Sequence, residues 1–447
     1  MSANSQLFSF LLLMIVSVGT EKKPDFWTLI ITPHQERARE MYADLRQFCS
    51  AVNIPVELVS STRVLSRPRG KQIRVVAARI LLMSFMLSDP LETRFDPNLV
   101  ICEDLEQLDS TYEWAVCLLR HATQFLATRY VGFSASLDDP TDLADWLNVH
   151  PTALISFRPR DRDQALSFSV QPFTIPHSAS LFKAMGKPTH TAIKTVPLGE
   201  NAIIFVSSRA MCRPTALNLL TQRALEMESA RGYIPETTSD EYIEDACVRL
   251  QDASLADFVS KGVGFFHGGI KKQDRLIILG LYAEGIIRVL IVPHDSVMSL
   301  PVRAAVVIVM GTQYIGITER SKSGDHQVLD YSLSTIVRMQ SHAVRHSGAG
   351  HFFLFCQAEA KDTLTRFLSD GLPLESQIAK ASTVVEWLKT RKSDWKDKKQ
   401  DLINILSFSF LARRVVTNPS YYDCTSTDRN GNLSRIVDGL FEQVPQA

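Results

Sequence analysis

The sequence predicts an α/β chain: two doubly wound, parallel sheets followed by a mainly helical tail. Three observations carry that prediction. Short, continuously apolar runs recur along the chain, among them WTLIIT at Trp27–Thr32, AIIFVSS at Ala202–Ser208 and AAVVIVM at Ala304–Met310, and such runs suit strands covered by helices on both faces. Helical patterns alternate with them. Proline and charge interrupt the alternation in FRPRDRD (Phe157–Asp163) and again at Gly371-Leu372-Pro373, after which the pattern turns helical. A chain of 447 residues is long enough for two or three cores.

Taken in order, Leu7–Val18 is apolar but shorter than the roughly 20 residues a membrane span needs. As a signal peptide it has no basic residue ahead of it and a poor cleavage site after it. It reads instead as a buried helix feeding the strand Trp27–Thr32, and the chain is not expected to be secreted. Gln35–Ser50 follows as a helix whose Ala38, Met41, Tyr42, Leu45 and Phe48 form one apolar stripe. Asn98–Cys102 and Tyr130–Phe133 are the next strands, and the residues before Ala202 read as a linker too irregular for one crossover. Val289–Val292, Ala304–Met310 and Phe352–Cys356 complete the strand series. Arg391–Asp401 (RKSDWKDKKQD) reads as a solvated helix start or loop. Leu402–Val416 is apolar almost all round except at Arg413 and Arg414, which predicts a helix buried against the second sheet. Tyr421 and Tyr422, after the Asn418-Pro419 stop, should fold back and cap it.

Composition limits the partners. The 48 basic and 48 acidic residues cancel, so no net field attracts nucleic acid, whose sequence-independent affinity comes mainly from phosphate neutralisation. Seven scattered cysteines form no CxxC pair and no zinc-finger spacing; they read as buried free thiols. No Ser/His/Asp or Cys/His constellation stands out, which leaves a secreted α/β enzyme with Leu7–Val18 as its signal peptide as a minor alternative.

Several short motifs remain. Thr32-Pro33 ends the first strand and precedes a helix. The strand Asn98–Cys102 runs into Glu103-Asp104-Leu105-Glu106, and Val131–Leu147 contains Ser134-Ala135-Ser136. Phe157-Arg158-Pro159 is followed by AIIFVSSR at Ala202–Arg209, by Gly262–His267 with Asp274-Arg275, by PHDSVMSLP from Pro293, and by Arg338–Arg345. Leu372–Gln377 reads LPLESQ, and FLARRVVTNPSYYD closes the series at Phe410–Asp423. In this order the motifs resemble those of the Ski-type superfamily 2 RNA helicases with tandem cassettes, closest to the second, inactive cassette of the spliceosomal type. The resemblance runs co-linearly through most of the chain.

That resemblance implies RecA-like domains, the first incomplete at 1–158, the second at 159–371, and a truncated winged-helix segment at 372–447. It also implies where chemistry has changed. No Gly-x-x-x-x-Gly-Lys-Ser/Thr phosphate loop is present in the sequence; its place would fall at or before Met1. The family's Asp-Glu-x-His has become Glu103, Asp104 and Glu106, with the two acids exchanged in length. Ser299 and Pro301 stand for a glycine and an asparagine, and Pro301 also lacks a backbone donor. His342 stands for the first finger arginine, without its charge or fork; Arg345 survives. None of these positions is expected to function in catalysis, and no cofactor is expected, since ATP and Mg²⁺ belong to the family but the altered positions argue against their binding. The expected role is a pseudo-helicase that serves as a protein-interaction or regulatory module in nuclear RNA processing, pre-mRNA splicing first, with protein partners, weak or absent RNA binding and no membrane. The alternative is the C-terminal part of an ATP-dependent RNA helicase that binds nucleic acid and ATP once its N-terminal part is present.

Overall fold

All six positions of β1 (Trp27–Thr32) are buried, as an apolar run with helices on both faces must be. In the computed structural model, which describes residues 25–443 apart from 89–94, 163–164, 176–177, 197–199, 227–230, 318–325, 346–347, 391–398 and 425, β1 is the centre of a five-stranded sheet. The order is β2–β3–β1–β4–β5, with β2 Val56–Val59, β3 Gln72–Ala77, β4 Leu99–Cys102 and β5 Arg129–Gly132. Every pairing is parallel. The helix Gln35–Cys49 buries Ala38, Met41, Leu45 and Cys49, while Tyr42 and Phe48 of the expected stripe lie at its half-buried flanks. The reading of Leu7–Val18 lies outside the described residues. Among those described, no helix is long and apolar enough to cross a membrane.

The second sheet has six strands in the order β6–β13–β10–β7–β9–β8. They are β6 Leu166–Phe173, β7 Ala202–Val206, β8 Val263–Phe265, β9 Val289–Pro293, β10 Val306–Met310 and β13 Gly350–Gln357, again paired in parallel. Between β10 and β13 stands an antiparallel hairpin, β11 Gln313–Ile317 with β12 His326–Asp330. The expected linker before Ala202 is a correction: it holds β6 and the helix Ser178–Ile193. β6 is an edge strand with alternating exposure and Pro172 in it, and an edge is where a strand tolerates proline. Gly262, at φ +75°, passes so close to the backbone of Tyr233 and Ile234 that a Cβ would lie 2.7 Å from a carbonyl carbon.

By contacts the chain forms two compact units, Phe157–Asp370 and the rest. The tail from Gly371 therefore belongs with the first sheet, and its expected burial against the second is overturned. Gly371 (φ +118°) would place a Cβ 2.7 Å from the Leu137 backbone. Next to it Leu372 bridges Leu137, with Leu372 N–H donating to Ser136 O and Asp138 N–H to Leu372 O, both at 2.9 Å. The helix Ser110–Ala122 receives the tail through Trp114, edge-on to Trp387 at 5.3 Å, and through Cys117 Sγ, which donates to Ile405 O. Trp146 Nε1 donates to Phe408 O at 2.8 Å. The expected single helix at Leu402–Val416 is two, Lys399–Leu406 and Leu411–Thr417, bent so that each buries its own apolar side on the first sheet's helices. Residues 391–398 of the charged run lie outside the described residues.

Glu113 closes this seam. It is fully buried, and its Oε1 accepts the Leu411 N–H at 2.8 Å, capping the start of the last-named helix. Burial pushes its carboxyl up to about 7, against the hydrogen bonds from Ser376, Leu411 and Phe410. Between pH 4.5 and 7 the native chain therefore holds a proton that the unfolded chain has released. Stability from this group is complete below pH 4.5 and falls as pH rises, by at most about 1.4 kcal/mol per pH unit. Urea melts from pH 5 to 8 should show Glu113→Gln with a flatter profile and higher stability than the parent at pH 8. Parallel profiles would remove Glu113 as the source.

Candidate functional site

At the carboxyl ends of β1, β4 and β5, where ligands bind to parallel sheets, the first unit gathers the expected acids. Glu103 N–H donates to Ile31 O at 2.9 Å, so the acid run starts directly where β4 leaves the sheet. The Tyr112 hydroxyl lies 2.9 Å from the carbonyl oxygens of both Ile31 and Glu103 and braces the two strand ends. Asp104 adopts a left-handed backbone, φ 50°, a conformation aspartate tolerates, and opens the short turn Leu105–Gln107.

The residue that organises these acids is Arg37, in the first turn of the helix Gln35–Cys49. Its Nη2 donates to Glu103 Oε1 at 2.7 Å, its Nε lies 3.4 Å from Asp104 Oδ2, and its Nη1 donates to Glu40 Oε2 at 3.2 Å. Burial works against the Arg37 charge, but the carboxylates of Asp104 and Glu103 more than offset it and hold its pKa above the usual range. Burial and Asp104 push Glu103 up, with Arg37 opposing. Glu106 is likewise raised by burial and Asp104. Its Oε2 accepts the Ala135 N–H at 2.9 Å and lies 3.4 Å from Ser134 Oγ. So the motif positions Glu103, Asp104, Glu106, Ser134 and Ala135 lie together at this strand end. The Ser136 carbonyl accepts the Leu372 N–H at the start of the tail. Arg37 belongs to no motif, and nothing in its spacing marked it.

The remaining predicted positions lie in the second unit. Ser299 donates to Ser296 O at 3.1 Å, inside the turn His294–Ser299, and Pro301 is exposed beyond it. His342 is 6% exposed, and its Nδ1 sits 2.7 Å from Val302 O. Burial depresses its pKa to about 4, leaving the ring neutral at pH 7. Ala304 and Val344 hydrogen-bond across the same bridge, which fixes His342 toward the interior. Arg345 Nε donates to Glu200 Oε1 at 2.8 Å. At the other end of β7, Arg209 lies 3.2 Å from Asp295, and burial, then Arg209, lower the pKa of His267. Asp274 is buried and accepts the Gln251 N–H, a packing role.

No family model matches the chain. Among curated relatives, it is 28% identical over 331 residues, 71% of this chain and 15% of the relative, to the U5 small nuclear ribonucleoprotein 200 kDa helicase of Drosophila melanogaster. It is 29% identical over 361 residues, 78% of this chain and 16% of the relative, to the pre-mRNA-splicing factor brr2 of Schizosaccharomyces pombe. To the U5 200 kDa helicase of Caenorhabditis elegans it is 28% identical over 447 residues, 94% of this chain and 20% of the relative. The chain thus spans a fifth or less of the length of these relatives. With two parallel α/β sheets in series, the motif order and relatives that match along most of its length, the chain is similar to the Ski-type superfamily 2 RNA helicases.

Proposed function

We propose that this chain is a catalytically degenerate helicase cassette that acts as a protein-interaction or regulatory module in a nuclear RNA-processing particle, pre-mRNA splicing in the first place. The observation that carries the reading is His342. Phosphoryl transfer needs a charged, forked guanidinium at the finger position. Here that position holds a buried, neutral ring whose Nδ1 is 2.7 Å from Val302 O, and the nearby Arg345 is paired with Glu200. Neither is free to meet a phosphate. Protein partners are supported by the similarity to a small nuclear ribonucleoprotein helicase and a splicing factor. Weak or absent RNA binding follows from the zero net charge.

Purified protein should hydrolyse ATP, with or without RNA, no faster than a Glu103→Ala, Asp104→Ala control. Turnover that this double change abolishes would overturn the reading. It would favour instead a working part of an ATP-dependent RNA helicase, which the much greater length of the relatives keeps in view.

A further inference from the structure

The helicase family uses Mg²⁺ against the acids after the strand that corresponds to β4. Those acids do not fit that ion here, because a cation of the chain itself already stands among them. Glu103 and Asp104 have side chains only 8% and 15% exposed, and Arg37 between them is 12% exposed. A Mg²⁺ would need carboxylate oxygens at about 2.0–2.1 Å and room for several waters. The guanidinium instead contacts Glu103 at 2.7 Å and Asp104 at 3.4 Å. Buried Glu103 Oε2 and Asp104 Oδ2 accept no hydrogen bond, so the pair keeps unused ligand capacity beside the arginine. Among the described residues, no group of three or more His, Cys, Asp or Glu side chains is arranged around a metal position.

The physical logic favours the arginine as a permanent occupant. Two carboxylates out of water are costly unless a cation faces them. A guanidinium stays charged at every physiological pH and satisfies several acceptors at once. Arg37 also lies in the first turn of its helix, and helical side chains lean toward the helix N-terminus, which here is the end that meets the tip of β4.

We propose that Arg37 is the resident cation of the Glu103–Asp104 pair, a tethered counter-ion that keeps divalent metal out, and that its removal opens a site of the Mg²⁺/Mn²⁺ class. This deepens the degenerate-cassette reading and rests on it. The test uses the full chain at pH 8, where the raised carboxyls are more fully ionised, with Mn²⁺ followed by electron paramagnetic resonance and no nucleotide present. The parent should show no saturable binding. Arg37→Met, which keeps an apolar stem, should bind one Mn²⁺ saturably, about tenfold or more tightly than any residual association with the parent. Arg37→Lys should stay inert, and adding Asp104→Asn to Arg37→Met should abolish the gain. Folding is checked by near-ultraviolet circular dichroism, with Arg37→Gln in place of Met where the latter does not fold.

Three results would overturn the proposal: tight Mn²⁺ binding by the parent that Asp104→Asn removes, a folded Arg37→Met that binds no better than the parent, or an Arg37→Lys that gains as much as Met. The parent titration decides even if both neutral variants fail to fold, since tight, Asp104-dependent binding refutes the idea and inertness supports it. Failure of the broader reading is separate, because it appears as ATP turnover by the parent.

Discussion

Arg414→Ala should destabilise the first unit by about 3–5 kcal/mol, the usual consequence of removing one member of a buried ionic network. Arg414 is 16% exposed and faces Asp142 and Glu375, at 13% and 15%. Its Nε donates to Glu375 Oε2 at 3.0 Å, its Nη2 to Glu375 Oε1, and its Nη1 to Asp142 Oδ2 at 2.5 Å. Thr417 Oγ1 also donates to Asp142. Without the guanidinium, two nearly buried carboxylates face each other with no cation. Arg414→Lys should recover only part of the loss, since an ammonium cannot make the forked contact with Glu375. Arg413→Ala is the control, and should cost about 0.5 kcal/mol or less, because Arg413 adds unfavourable charge beside Arg120 and Arg429. Urea unfolding of the three variants checks this. Equal losses for Arg413→Ala and Arg414→Ala would mean the network contributes little.

Tyr421→Ala with Tyr422→Ala should cost about 3–5 kcal/mol, in the range of large-to-small core changes, with RNA retention in a filter assay unchanged. Most of the loss belongs to Tyr422, which is 6% exposed. Its hydroxyl donates to Glu375 Oε2 and accepts the Ser376 N–H, both at 2.8 Å. Tyr421 packs edge-on against it at 5.0 Å, and its ring lies 3.7 Å below the Lys380 ammonium. Tyr422 is thus buried and one face of Tyr421 is covered by Lys380, whereas a stacking platform for bases needs a free aromatic face. Tyr422→Phe separates the two contributions: it keeps the packing but leaves the Ser376 N–H without its partner, at about 1–3 kcal/mol. A double alanine variant that melts like the parent yet loses RNA would make this surface a binding platform.

The central strands were legible because continuous apolar runs leave few other readings. β1, β4, β7, β9 and β10 were all found that way, to within two residues at most ends. The strands that escaped carry mixed signals. β3 contains Arg74, buried because it donates to Glu57 at 2.8 Å and lies over the Trp27 ring, and a lone arginine breaks an apolar run. β6 alternates in exposure along a sheet edge and ends near prolines. The tail illustrates a different limit. An all-round apolar helix announces that it will be buried, but periodicity carries no information about its partner. At the site, Glu103, Asp104 and Glu106 were singled out only by the family resemblance, since acids after a strand are by themselves the ordinary polar mouth of a sheet. Arg37 was not, since its role depends on where a helix turn meets a strand end 66 residues away. Glu113 and Glu375 were missed for the same reason: each acts on a segment far off in sequence.

The seam between Glu113 and Leu411 joins residues 298 positions apart, with the whole second unit in between, and this sets an order of events during synthesis. The first sheet and its helices leave the ribosome early, yet Trp114 waits for Trp387, and Trp146 for Phe408 and Phe410, to emerge. At about 5–20 residues per second, the intervening second unit alone takes roughly 10–40 seconds to make. Contacts this non-local also form slowly once the chain is free. The nascent protein therefore passes through an interval in which its second unit can fold while its first presents an apolar flank to the cytosol, the interval in which a holding chaperone matters most.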